Sequence, residues 1–178
     1  MNSPKLASLL AALPLASCAD SREAAEVRKA DRVCRKLALA PTDRVLEIGS
    51  GWGGFAVRAA TQYGCHVTTT TISDEQYRHV VEWRSRIGEA GSRIDVLRAD
   101  YRELTGQFDK VDSIEMFEAV GLNHDDDCFS AVDRLLAPEG SMLLQTITGD
   151  DQGFPHYTGK ADRNATYIMP RGDVAEVG

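Results

Sequence analysis

An α/β fold with a mostly parallel sheet is predicted by three features of the 178-residue sequence. Short β-branched or apolar runs alternate with stretches of helical period, the pattern of strands joined by helical crossovers. The first strand-like run ends in a glycine cluster that opens the next helix. No internal repeat interrupts the series, so one sheet with helices on both faces accounts for the alternation.

Asp20 and Glu23 have capping-box spacing, and Val27, Ala30, Val33, Cys34 and Leu37 recur at helical intervals. They predict an amphipathic helix over 21–38, stopped by Pro41. Arg44 to Ile48 reads as the first strand, followed by the glycine cluster 49–54 and a helix carrying Phe55, Val57, Ala59 and Ala60. Cys65 to Thr71 is a β-branched second strand. Ser73 opens a helix to about residue 89, Arg93 to Arg98 forms a third strand, and Lys110 to Ile114 a fourth. Asn123 caps a helix reaching Leu136, Pro138-Glu139-Gly140 turns the chain, and Ser141 to Ile147 makes a fifth strand.

The resulting organisation is a leader or N-terminal extension over 1–20, a ligand-binding domain over 21–148, and an irregular tail over 149–178 rich in Gly and Pro. Hydrophobic residues make up 43% and charged residues 26%, a globular composition. The net charge of -7 opposes a nucleic-acid partner, since phosphate binding draws on Lys and Arg. Cys18, Cys34, Cys65 and Cys128 form no C-x-x-C pair, and His66, His79, His124 and His156 have no metal spacing, so no metal site is expected. Asp125 to Asp127 reads as a charge cluster at a helix start, and Asn164-Ala165-Thr166 as a chance glycosylation triplet.

The first 18 residues admit two readings. Lys5, the apolar stretch Leu6 to Leu15 and then Ala16-Ser17-Cys18 have the order of an exported lipoprotein's leader, too short to span a membrane. Alternatively they form an Ala/Leu-rich extension of a cytoplasmic protein.

The chemistry concentrates after the first strand. Glu47-Ile48-Gly49-Ser50-Gly51-Trp52-Gly53 lies at a strand-to-helix turn, where missing Cβ atoms let a ligand approach the backbone. A dinucleotide site would place Asp or Glu at the end of the second strand, whereas this chain has Thr70 and Thr71.

The run E-I-G-S-G-W-G-G resembles motif I of the class I, Rossmann-like, S-adenosylmethionine-dependent methyltransferases. Three further segments resemble one branch of them, the cyclopropane-fatty-acyl-phospholipid synthase family. Val67 to Gln76 is similar to that family's V-T-G-V-T-L-S-x-E-Q, Asp100 to Glu103 to its D-Y-R-D, and Phe108 to Gly121 to its F-D-x-I-V-S-I-E-M-F-E-A-V-G. The resemblance runs in broken stretches from about residue 17 to about 172 and includes Tyr167 to Pro170. It implies a Rossmann-like sheet with about five strands in this chain and further strands beyond it.

That resemblance implies S-adenosyl-L-methionine as cofactor, contacted by Ser17, Glu47, Gly49, Ser50, Gly51, Trp52, Gly53, Thr71, Ile72, Gln76, Asp100 and Tyr101. It implies methylene addition to the double bond of an unsaturated phospholipid acyl chain at a membrane surface. Glu118 would act beside the reacting centre, with bicarbonate as the base held by Glu118, Gln145 and the backbones of Cys18 and Ile147. A cytoplasmic location follows, because the cofactor is made there. Ala16 stands where the family has tyrosine, Gln145 where many members have histidine, and the family's C-terminal region carries a catalytic tyrosine. A small-molecule methyltransferase and an inactive cofactor-binding remnant or scaffold are the alternative readings.

Overall fold

The computed structural model describes residues 22–120 and 125–147. Helix α1 (Arg22–Lys36) precedes β1 (Arg44–Ile48), and α2 (Gly54–Arg58) continues through a π-helical turn (Ala59–Tyr63) to β2 (His66–Thr71). Helix α3 (Asp74–Arg86) and a 3-10 segment (Gly88–Arg93) lead to β3 (Ile94–Arg98). After a 3-10 turn (Tyr101–Glu103) come β4 (Phe108–Ile114), a second 3-10 turn (Phe117–Ala119), α4 (Asp125–Leu135) and β5 (Leu136–Gln145).

The five strands form one sheet in the order β3-β2-β1-β4-β5. Every pairing in it is parallel. The chain moves outward from β1 to β3 and then returns to the other side of β1 for β4. The order therefore reverses between β1 and β4, and a crevice opens at their carboxyl ends, where such sheets place ligands.

Both faces are covered, as strands this apolar require. Val45, Val67, Ile94 and Val96 pack with Val33, Cys34 and Leu37 of the α1 region, Phe55 and Ala56 of α2, and Val80 of α3. On the opposite face Leu46, Ile48, Phe108 and Val111 pack with Val132 and Leu135 of α4. Arg58 forks onto both oxygens of Asp31 at 2.6 and 2.8 Å, fastening α2 to α1. That guanidinium also holds the Asp31 carboxyl below the usual carboxylate range.

Several boundaries depart from the pattern reading. Helix α3 stops at Arg86, and Gly88 takes a left-handed φ of 63° that a side chain would resist, so the chain tightens into a 3-10 turn. The Pro138-Glu139-Gly140 turn does not separate α4 from β5. It sits inside β5 as an irregularity, with Phe108 paired to Leu136 and Lys110 to Ser141. A side chain at Gly140 would press on Ala137 O at 2.9 Å, so the bulge needs glycine there. The expected leader over 1–20, the tail over 149–178 and the Asn123 cap lie outside the described residues.

Candidate functional site

The glycine turn after β1 is pinned to β2. Thr70 O accepts from Gly49 N–H at 3.1 Å and from Ser50 N–H at 2.7 Å. Gly49, Gly51 and Gly53 all have positive φ, at 93°, 48° and 88°. Their missing side chains serve different ends. A Cβ on Gly49 would lie 3.0 Å from Met116 Cγ, and one on Gly53 would lie 3.0 Å from Val80 Cγ2. At Gly51 nothing stands within 4 Å, so its bare backbone faces open space.

Two cavities share Gly49. The larger, about 510 Å³, lies between α1 and the turn and is lined by Glu47, Ser50, Gly51, Trp52 and residues of α1. The smaller, about 260 Å³, is lined by Thr71, Ile72, Gln76, Asp100, Tyr101 and Met116. The expected contacts thus divide into two groups joined at one glycine. Gly53 belongs to neither, since it faces Val80 and Trp83 of α3.

The larger cavity is acidic. Glu23, Glu26, Glu47 and Glu115 line it against Lys29 and Arg58, and both cations are engaged, Lys29 with Glu115 at 3.4 Å and Arg58 with Asp31. Its chemistry suits the positively charged end of a ligand. Glu47 is only 4% exposed, and its Oε2 lacks a hydrogen-bond partner. Burial pushes its carboxyl up to about 8.

The smaller cavity is ordered by short polar links. Thr71 Oγ1 donates to Gln76 Oε1 at 2.8 Å and accepts from Ser73 N–H at 3.1 Å, fixing the β2–α3 corner. Asp100 accepts from Arg102 N–H at 2.9 Å and from the guanidinium Nε at 3.0 Å. This pairing holds Asp100 ionised below the ordinary carboxylate value, an acceptor whose two oxygens a ligand N–H would share with Arg102. Burial raises the Tyr101 phenol, which stays neutral, and the Arg102 guanidinium lies 5.9 Å from its ring centre.

Glu118 is 3% exposed on the 3-10 turn after β4. Its Oε1 accepts from the Thr146 hydroxyl at 2.9 Å and from Ile147 N–H, while Oε2 is buried without a partner. Gln145 does not join this group by hydrogen bonding. Its amide donates to Glu115 Oε1 at 2.9 Å, because successive side chains of a strand point to opposite faces. Ser17 and Cys18 lie outside the described residues.

Some participants had no visible signal in the sequence. Helix α1 reads as ordinary amphipathic packing, yet Glu23, Glu26 and Lys29 line the larger cavity. Met116 and Val120 line the smaller one. Glu115 adopts a left-handed φ of 52°, which no residue pattern announces. Asp112 lies in register with Glu47 on the neighbouring strand and is fully buried, with neither oxygen partnered. It stands where the family segment has valine. Among the described residues no cluster of His, Cys, Asp or Glu could hold a metal ion.

The strand order, the glycine turn after β1 and the paired cavities at the sheet's carboxyl edge define a Rossmann-like domain of the class I methyltransferase type. The chain belongs to the mycolic acid cyclopropane synthetase family, whose sequence profile matches residues 17–178. It is 44% identical to the cyclopropane-fatty-acyl-phospholipid synthase of Escherichia coli (strain K12) over 164 residues, 89% of this chain and 39% of that protein. It is 38% identical to a tuberculostearic acid methyltransferase of Mycobacterium tuberculosis over 156 residues, 84% of this chain and 34% of that one. A crystal structure of a mycolic acid cyclopropane synthase complexed with SAH and CTAB superposes with a TM-score of 0.76 at 31% identity, covering 84% of this chain and 55% of that one. The chain thus spans well under half the length of these two curated relatives.

Proposed function

We propose that this chain carries the S-adenosylmethionine-binding half of an enzyme that adds a methylene group to the double bond of unsaturated acyl chains in phospholipids. The observation that carries the reading is the pair of cavities joined at Gly49. The acidic cavity suits the methionine end of the cofactor and the smaller one its adenosine, with Asp100 placed to accept from the adenine amino group and Tyr101 to pack on its face. Gly51, whose absent Cβ leaves open space, admits the ligand to the backbone.

S-adenosylmethionine supplies an electrophilic methyl group on a positively charged sulfur. The chain's own residues orient it and keep water away. Glu118 places a carboxylate beside the reacting centre, where positive charge develops on the acyl chain. Its unpartnered Oε2 is the atom that can accept a proton or a hydrogen bond. Bicarbonate belongs to the same proposal as the base, since the unpartnered Glu118 Oε2 can accept its O–H.

A lipid acceptor is supported by exposed apolar side chains at the carboxyl ends of three strands: Trp52 after β1, Ile72 after β2 and Ile147 after β5, exposed by 59%, 80% and 50%. Such side chains suit contact with acyl chains at a bilayer surface. Among the described residues no helix is long and apolar enough to cross a membrane. The reading places the enzyme in the cytoplasm, peripheral to the membrane.

Incubation with methyl-labelled S-adenosylmethionine and vesicles of monounsaturated phosphatidylethanolamine tests this. Label is expected in the acyl chains, each gaining one methylene in mass. Label in a soluble acceptor alone would replace the reading with a small-molecule methyltransferase. Binding without transfer to any acceptor would leave a cofactor-binding scaffold.

A further inference from the structure

We propose that Glu47 and Asp112 act as one proton-holding carboxyl pair behind the larger cavity, and that a cationic ligand entering the cavity drives one proton out of the pair into solvent. Asp112 is a positioning residue in this account: it keeps its own proton and uses it to stabilise the charge that then forms on Glu47. The inference rests on the cofactor reading above, because the methionine end of S-adenosylmethionine is the cation invoked.

The geometry begins with the strand register. Glu47 of β1 lies opposite Asp112 of β4, so both side chains rise from the same face of adjacent strands. Glu47 is 4% exposed and Asp112 is 0% exposed. Glu47 Oε2 and both Asp112 oxygens have no hydrogen-bond partner. An ionised carboxylate in such a place is costly without a compensating charge, and two side by side are costlier still. Burial raises both carboxyls, and the charge of Glu47 raises Asp112 further.

Among the described residues beside the pair, none supplies a compensating charge. Thr69 flanks Glu47 on β2 and Leu143 flanks Asp112 on β5. Cys34 of α1 and Cys65 before β2 face Asp112 as thiols that burial pushes up to about 12 and about 11, so they remain neutral. Lys29 and Arg58, the cations lining the cavity, are bonded to Glu115 and Asp31. Glu47 lines the cavity itself. A cation arriving there favours the ionised form of Glu47, and the Asp112 O–H can then serve its orphaned oxygen. In this step one carboxyl O–H bond breaks, its electron pair stays on Glu47, and the proton goes to buffer.

The test is calorimetric titration of the chain with S-adenosylmethionine at pH 7 in phosphate and in Tris, whose ionisation heats differ. Wild type is expected to release about one proton per ligand bound, with affinity rising about tenfold per pH unit below pH 8 and levelling above it. Glu47→Gln removes the release. Asp112→Asn, which still offers a donor, keeps affinity within about threefold, whereas Asp112→Val loses about tenfold and shifts the pH dependence upward. Binding by wild type with the same heat in both buffers overturns the proposal and leaves the cofactor reading intact. Equal affinity and pH profile in wild type and Asp112→Val overturns the role of Asp112. Absence of binding by a folded wild-type chain overturns the cofactor reading and this proposal together.

Discussion

Glu118 Oε1 accepts the Thr146 hydroxyl at 2.9 Å, which ties the turn after β4 to the chain leaving β5. A buried carboxylate is thereby fixed at the reversal side of the sheet by partners 28 and 29 residues away in sequence. Its position depends on the pairing of two parallel strands rather than on a local turn.

Replacing Glu118 by Gln removes the charge but keeps a carbonyl oxygen able to accept from Thr146 and Ile147. The expected result is a stability change below about 1 kcal/mol. Cofactor affinity should hold while methylene transfer falls about 100-fold or more, as when an electrostatic group is lost. Parallel denaturation, titration and transfer assays check it.

Asp112 is the opposite case, an unpartnered acid in the core. Asp112→Val is expected to stabilise the fold by about 1–3 kcal/mol, the range for relieving a buried polar group without a partner. Urea denaturation at neutral pH measures this. Added stability with weakened cofactor binding would mark a residue retained for function at a cost to the fold.

The same pair sets a pH dependence whose sign is unusual for carboxylates. Burial raises the folded value of Glu47 to about 8 from an ordinary value of 4.5, so between those limits the folded chain binds more protons than the unfolded one. Stability is therefore fullest at the acidic end of that window and falls as pH rises through it. Denaturation midpoints between pH 5 and 8.5 should decline, and more shallowly in Glu47→Gln.

Cys34 and Cys65 are fully buried, and burial holds both thiols protonated. Neither should react with iodoacetamide at pH 8 in the folded chain, because the thiolate is the reactive form. Both should react once the chain is denatured. Mass spectrometry of the alkylated protein distinguishes the two states.

Much of this architecture could be read in the residues. Arg44 to Ile48 forms the strand its apolar run predicts, and the β-branched segment before Ile72 forms another, because buried parallel strands leave a strong local signature. Resemblance to the family's segments, rather than spacing, singled out Thr71, Gln76, Asp100 and Tyr101, which line one cavity. What stayed hidden depends on register. The pairing of Asp112 with Glu47 follows from how β4 aligns with β1, which a one-residue slip would abolish. Gln145 turns toward Glu115 because of strand alternation, and the charges of α1 enter the site only once that helix packs beside the glycine turn.

The central claim is that the two cavities joined at Gly49 form a single cofactor site. Its most direct test is titration of the wild-type chain and a Gly51→Asp variant with S-adenosylmethionine. Asp tolerates left-handed φ, so the variant should fold while its side chain fills the open space beside the turn. One saturable site is expected in wild type, with at least about a tenfold loss of affinity in the variant, the effect of about 1.4 kcal/mol. Equal binding by the two folded proteins, or none by either, would contradict it.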